Sequence, residues 1–276
     1  MTGTEGLMTG KRGLVMGVAN ERSIAWGIAR ALSGAGATLA FTYQDEAFVK
    51  RVRPLAESVD SEIVVKCDVG NDDDIQAVFD TVGAKWGGLD FVIHAIAYSD
   101  KAELKGQYLN TTKANFTKTL EISCYSFTAV ARAAGPLMGE GGSLMTLTYL
   151  GAERVTPNYN VMGVAKSALE ASVRYLANDL GPQGVRVNAI SAGPVRTLAG
   201  SAIADARFVY RWSAEQAPME RNATLEEIGA AGLYLASDLS RGVTGEIHHV
   251  DCGYHAIAMP SPARINNGNG DHTKAR

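Results

Sequence analysis

This 276-residue sequence predicts an α/β fold: a doubly wound parallel sheet in a single domain, with helices on both faces. Three observations lead there. Apolar runs of strand length alternate six times with stretches of helical period, and one late strand follows. Glycine or polar residues stand just past the end of run after run, where sheets of this kind bind ligands. Length suits one large α/β domain or two small ones, and composition (46% hydrophobic, 20% charged) is ordinary for a soluble globular protein.

Residues 1–10 read as a disordered leader, 11–259 as the domain, and 260–276 as a flexible tail rich in Pro, Asn, Gly and charge. Gly13–Val18 is the first buried strand. Gly17 permits a tight turn after it, and a helix then runs to about Ser33. The free N–H groups and positive end of that helix suit a pyrophosphate. Ser23 stands as its N-cap, and Gly27 allows close helix–strand packing. The spacing departs from G-x-G-x-x-G, so this corner alone is a weak signal. Thr38–Tyr43 is the second strand, followed by Gln44 and Asp45, where the sheet meets an adenosine ribose. No arginine adjoins them for a 2′-phosphate, which favours NADH over NADPH; Asp45 equally suits a helix cap. Pro54 is expected to kink or divide the next helix.

Glu62–Val69 is the third strand, ending in Cys67-Asp68-Val69; Asp68 is placed to hold an adenine amino group or to cap the next helix. Asp73–Trp86 is a helix and Leu89–Ala97 the fourth strand. Ser99–Asn115 is a polar flap, Phe116–Leu137 a long helix and Leu144–Tyr149 the fifth strand. Val185–Ser191 is the sixth strand, and the turn after it presents Thr197 to a phosphate. Leu198–Met219 is expected to be mobile or helical, Glu226–Ser237 helical and Glu246–Val250 a last strand.

The helix after the fifth strand carries the chemistry. Tyr159 and Lys166 are seven residues apart, a spacing that closes to within roughly 20° of two full turns. Both side chains leave one face, and Tyr149 stands at the end of the preceding strand. A phenol titrates near ~10 and is a poor acid at neutral pH. A neighbouring ammonium is expected to lower that value, making the phenol a donor to an oxygen that gains charge. Taken alone, a pair at this spacing is far more often an ordinary pair on a helix surface.

The net charge of −3 shows no basic excess to attract nucleic acid. Three scattered cysteines fit neither a disulfide framework nor a metal site. No apolar run reaches the ~18 residues of a membrane span, and no signal core is present, so the expected location is cytoplasmic.

Several segments carry a family resemblance: G-V-A-N-E-R-S-I-A-W-G at 17–27, Y-Q at 43–44, C-D-V at 67–69, Y-L-G-A-E-R at 149–154, P-N-Y-N-V-M-G-V-A-K at 157–166 and G-V-R-V-N-A-I-S-A-G-P-V-R-T-L-A at 184–199. The chain resembles the short-chain dehydrogenase/reductase superfamily. Within it, the chain is similar to the bacterial NADH-dependent enoyl-acyl carrier protein reductases of type II fatty acid synthesis, over roughly Lys11–Met259. Ordinary members carry Y-x3-K with a serine upstream; here Gly163 follows Tyr159 by four and a tyrosine stands upstream.

The resemblance implies a Rossmann-like domain and NADH-dependent reduction of the trans-2 double bond of an enoyl thioester. It implies NADH binding by Gly17, Ser23, Ile24, Gln44, Asp68, Val69, Ile96, Lys166 and the Val195–Ala199 segment, with Val195, Thr197 and Ala199 in contact. It implies catalysis by Tyr149, Tyr159 and Lys166, substrate contact at Ser99, acyl carrier protein as partner and a homotetramer. Leu198–Arg211 is expected to cover the acyl chain, with Arg207 and Arg211 either meeting the acidic carrier or lying on a solvated face. A reductase for a 3-oxoacyl carbonyl is the alternative, disfavoured by the missing Y-x3-K. A nucleotide-binding regulator is a further rival, disfavoured by Tyr149, Tyr159 and Lys166 together.

Overall fold

The fold was analysed in a computed structural model that describes residues 4, 6–139, 141–198, 200 and 203–259. Strands β1 (Arg12–Met16), β2 (Thr38–Tyr43), β3 (Ile63–Lys66), β4 (Phe91–His94), β5 (Gly142–Thr148), β6 (Val185–Ala192) and β7 (Ile247–Val250) form one sheet. Their order is β3-β2-β1-β4-β5-β6-β7 and every pairing is parallel. The chain reverses its direction of travel between β1 and β4, so a crevice opens where their C-terminal ends part.

Residues alternate between two apolar layers. Leu14 and Met16 of β1 join one, with Phe79 of α3 (Asp72–Trp86), Val130 of α5 (Ser126–Ala134) and Val173 of α6 (Asn160–Leu180). Val15 joins the other, with Ile28 of α1 (Ile24–Gly34), Val52 of α2 (Glu46–Glu57) and Leu233 of α8 (Leu225–Ala236). Both faces of the sheet are therefore covered, which is why its strands read as continuous apolar runs.

β3 and β4 are shorter than their apolar runs. Cys67 and Val69 lie beyond β3 yet are buried in the same layer as Phe79, so apolarity outlasts strand pairing there. Pro54 does not divide α2. It lies in the last turn, where few helical bonds remain to be lost, and its own carbonyl accepts from Ser58 N–H. Gly27 serves a helix crossing rather than a strand: a Cβ there would meet the Leu225 carbonyl oxygen at 2.9 Å, where α1 crosses α8. The expected long helix at 116–137 is α4 (Lys113–Leu120), a π-turn at Glu121–Tyr125, and α5. The flap contains two single 3-10 turns, at Lys101–Glu103 and Tyr108–Asn110.

The leader expectation needs correction where it is described. Residues 6–10 form a turn; Met8 is buried and its N–H donates to the Ala35 carbonyl at 2.8 Å. The apolar side chain of Met8 finds the end of α1, which outweighs the local polarity. Residues 1–3 and 5, and the tail at 260–276, lie outside the described residues. No described helix is long and apolar enough to cross a membrane.

Candidate active site

β5 ends at Thr148, and Tyr149 continues in extended conformation into a 3-10 turn at Leu150–Ala152. The chain returns through Asn158 and Asn160, both with positive φ, on either side of Tyr159. Asparagine tolerates this left-handed region better than other residues with a Cβ. The hairpin of backbone delivers Tyr159 and Tyr149 edge to face, ring centroids 5.1 Å apart and planes at 74°. Lys166, two turns along α6, donates to the Leu147 carbonyl at 2.6 Å. One turn further, Glu170 Oε1 accepts from Thr148 Oγ1 at 2.7 Å. The predicted trio of Tyr149, Tyr159 and Lys166 is thus brought together at the end of β5.

Two glycines make the approach possible, and sequence reasoning missed their role. A Cβ on Gly151 would stand 2.4 Å from Tyr159 Cδ1. A Cβ on Gly163 would stand 2.7 Å from the Gly151 carbonyl oxygen. The position four after Tyr159 therefore has no room for the lysine of Y-x3-K, and the amine enters one turn later. The signal was present as a glycine in each of the two segments, but nothing in spacing alone shows that they touch.

Burial, not the ammonium, governs the phenols. Tyr159 is pushed above its ordinary value by loss of solvent, then by Tyr149 and Glu170. Tyr149 is pushed up to about 12, chiefly by burial. The expected acidification of Tyr159 by Lys166 is thus not what the site does. The lysine's charge is turned to the Leu147 carbonyl, and the phenol stays a neutral hydrogen-bond donor. Lys166 is itself brought down to about 8 by burial, opposed by Cys124 and Glu170.

Tyr159 is covered by Leu104 of the flap, by Met162, and by Ile203, which precedes α7 (Ala206–Gln216). Asn158 ties the two covers together: its Oδ1 accepts from Gly106 N–H at 3.0 Å, and its Nδ2 donates to Asp205 Oδ2 at 3.0 Å. Ser123, on the π-turn, both accepts from Tyr98 N–H (2.9 Å) and donates to the Tyr98 carbonyl (3.0 Å), holding the chain that leaves β4. A π-turn in a helix often marks such a site, but sequence pattern does not reveal one.

The residues expected to bind coenzyme lie at or just past the strand ends, with differences in detail. Gly17 has φ 95, and a Cβ there would stand 2.1 Å from the Ala95 carbonyl oxygen, so β1 and β4 part at a glycine. Ser23 does not cap α1 with its side chain: Oγ accepts instead from Ala19 and Asn20 N–H at 3.0 and 3.1 Å. That leaves the amides of Ile24 and Ala25 without an acceptor among the described residues, a cradle that fits a pyrophosphate. Gln44 is exposed after β2, whereas Asp45 is the cap of α2. Asp68 Oδ1 accepts from Gly70 N–H, and Asn71 caps α3 in its place. Val69 is buried, and Ile96 and Val195 are half-buried against the core. Thr197 Oγ1 accepts from Gly200 N–H at 3.0 Å. Ala199 lies outside the described residues. The hydroxyl of Ser99 is not offered to the cleft: it is buried on Asn115 and Thr119.

Comparison with known proteins agrees with this geometry. Residues 17–255 match the family described as Enoyl-(Acyl carrier protein) reductase. The chain is 60% identical over 256 residues to the enoyl-[acyl-carrier-protein] reductase [NADH] 2 of Rhizobium meliloti, covering 93% of this chain and 96% of that one. It is 54% identical over 254 residues to a Rickettsia felis enoyl-[acyl-carrier-protein] reductase [NADH], covering 92% and 97%. Among solved structures, that of the Anaplasma phagocytophilum reductase in complex with NAD superposes with TM-score 0.90 at 56% identity, covering 93% and 98%. The Bacillus cereus enzyme with NADP+ and an indole naphthyridinone gives 0.90 at 52%, covering 92% and 99%. The paired tyrosines, the displaced lysine and this extent of likeness together establish that the chain belongs to the enoyl-(acyl carrier protein) reductase family.

Proposed function

We propose that this protein reduces the trans-2 double bond of an enoyl thioester carried by acyl carrier protein, with NADH as reductant, in fatty acid synthesis. The observation that carries the reading is the convergence of Tyr159 and Lys166 at the end of β5, two strands from the open amides of α1. The pyrophosphate would lie on the amides of Ile24 and Ala25, and the nicotinamide ribose hydroxyls on Lys166. NADH, when bound, would supply the hydride that goes to C3 of the substrate, and a proton from solvent would complete the reduction at C2. Tyr159 donates a hydrogen bond to the thioester oxygen as negative charge collects on it, and a neutral phenol suits that task. Tyr149, edge-on to that ring, helps fix its direction. Leu104, Met162 and Ile203 exclude water around the oxyanion, which strengthens the bond.

Gln44 with no adjacent arginine supports NADH over NADPH. Exposed Arg207 and Arg211 on α7 support docking of an acidic carrier, although Arg211 also lies 3.9 Å from Glu215. Exposed Val164 and Tyr175 are eleven residues apart and lie on one stripe of α6, an apolar face that supports a homotetramer. The net charge of −3 gives no basic excess that would favour nucleic acid as a partner.

The test is NADH and NADPH consumption with crotonyl and acetoacetyl thioesters. Turnover of the crotonyl compound with NADH is expected. Turnover of the acetoacetyl compound alone would assign the carbonyl chemistry instead.

A further inference from the structure

α6 presents three polar side chains in series to the end of β5. Tyr159, Lys166 and Glu170 are seven and four residues apart, so they lie within roughly 40° of one another around the helix. They meet, in turn, the Tyr149 ring, the Leu147 carbonyl and the Thr148 hydroxyl. The first two have roles in the reading above. Glu170 has none, yet it is a carboxylate buried to 7% exposure, with Thr148 Oγ1 as its one side-chain donor among the described residues. A glutamine would accept the same hydrogen bond without the penalty of burying a charge. The charge therefore calls for a reason of its own.

We propose that Glu170 is a positioning residue: its negative charge keeps the Lys166 ammonium protonated and seated at the end of β5, so that the lysine holds the coenzyme in alkaline solution. This rests on the reading of Lys166 as the cation beneath the nicotinamide ribose. Lys166 is buried to 5% exposure, and burial drives its pKa down to about 8. Cys124 on the π-turn and Glu170 oppose that fall, while His94 on β4 also faces the ammonium. His94 titrates at about 3 and carries no charge in the assay range. Burial raises the Glu170 carboxyl above its ordinary value, as does Glu153 on the turn after β5; Thr148, His249 on β7 and Arg174 on α6 oppose the rise and favour the charge. Lys166 donates to the Leu147 carbonyl rather than to Glu170, so the carboxylate acts through its field and not as a direct ion pair.

The sign follows from the lysine. Its charge is complete well below its pKa and is lost as pH rises through it. Removing the carboxylate lowers that pKa further, so the loss begins at lower pH. NADH affinity, read by fluorescence titration of the full chain from about pH 6 to 10, should fall through a basic limb in the wild type. In Glu170→Gln the limb should move to lower pH by roughly one pH unit, while affinity at pH 6 stays within about twofold. Glu170→Asp, which keeps the charge, should restore the wild-type limb. Glu170→Met removes the charge together with its burial penalty and should repeat the Gln result, giving the same decision if the Gln variant does not fold. An unmoved limb overturns the proposal. So does an equal loss of affinity at every pH, which is what a merely structural role predicts. A wild type that binds no NADH at any pH overturns the underlying reading as well.

Discussion

The seam between β5 and α6 and the cover formed by the flap and α7 are held together differently. In the seam, Tyr159, Lys166, Thr148 and Glu170 are each less than a tenth exposed; Lys166 bonds to backbone, and Thr148 and Glu170 bond to each other. The cover joins two single 3-10 turns of the flap to α7, with Leu198 and Phe208 about half exposed, and Asn158 ties its two halves together. Reacting groups must be fixed to a fraction of an ångström, whereas a cover must part for an acyl chain to enter. Substitutions in the seam should therefore change turnover, and those in the cover should change substrate affinity.

The largest effect is expected at the phenol. Tyr159→Phe removes the hydroxyl proposed to donate to the thioester oxygen and leaves the ring packed on Tyr149. Turnover should drop by about 10²–10³, a barrier increase of about 3–4 kcal/mol, with little change in NADH affinity. Near-normal steady-state turnover would remove Tyr159 from the chemistry. Gly151→Ala should come close behind. The new methyl cannot share space with the Tyr159 ring edge, 2.4 Å away, so the phenol must shift. A displacement of about 1 Å costs on the order of 10² in rate. A full kcat in a folded Gly151→Ala variant would show that the hydroxyl tolerates this shift.

How legible these regions were follows from the same contrast. The seven-residue step from Tyr159 to Lys166 is local helix geometry, so the sequence alone placed both on one face. Most strand ends were legible because each apolar run has a boundary, although β3 and β4 stop short of theirs. What escaped were contacts between segments distant in the chain. Gly151 beside Gly163, Ser123 on the Tyr98 backbone, and Gly27 against Leu225 have no periodic signature. The state of the phenol escaped too, because desolvation depends on Leu104 and Ile203, which lie tens of residues away on either side.

Acid should separate the two regions as well. His94, fully buried behind the seam, bridges Thr146 Oγ1 at 3.2 Å and Ser126 Oγ at 2.8 Å. Burial lowers its pKa from 6.5 to about 3, with Lys166 adding to the effect. The unfolded chain binds the proton first, so stability falls as pH drops from about 6.5 towards 3. At pH 4 this contributes roughly 3 kcal/mol of destabilisation relative to pH 7. Glu103 in the flap is held below its ordinary value by Thr112, so its contribution is lost only at pH below about 4.5. His94→Gln should flatten the loss of urea stability between pH 7 and 4 by that amount. An unchanged pH dependence would place the acid sensitivity elsewhere.

The smallest effect is expected in the cover, and it distinguishes the regions most sharply. Asn158 has φ 65, so Asn158→Gly removes the side-chain ties to Gly106 and Asp205 without straining the backbone. Half-exposed hydrogen bonds of this kind contribute about 0.5–1.5 kcal/mol. The closed arrangement over Tyr159 should become less populated, raising KM for the enoyl thioester roughly fivefold while kcat stays within about twofold. Limited proteolysis should cut within 99–110 or after 203 sooner than in the wild type. If kcat fell instead and KM held, the asparagine would belong to the seam, fixing the phenol's approach from the turn before α6. The division between a rigid chemical edge and a yielding cover would then run through the flap rather than beside it.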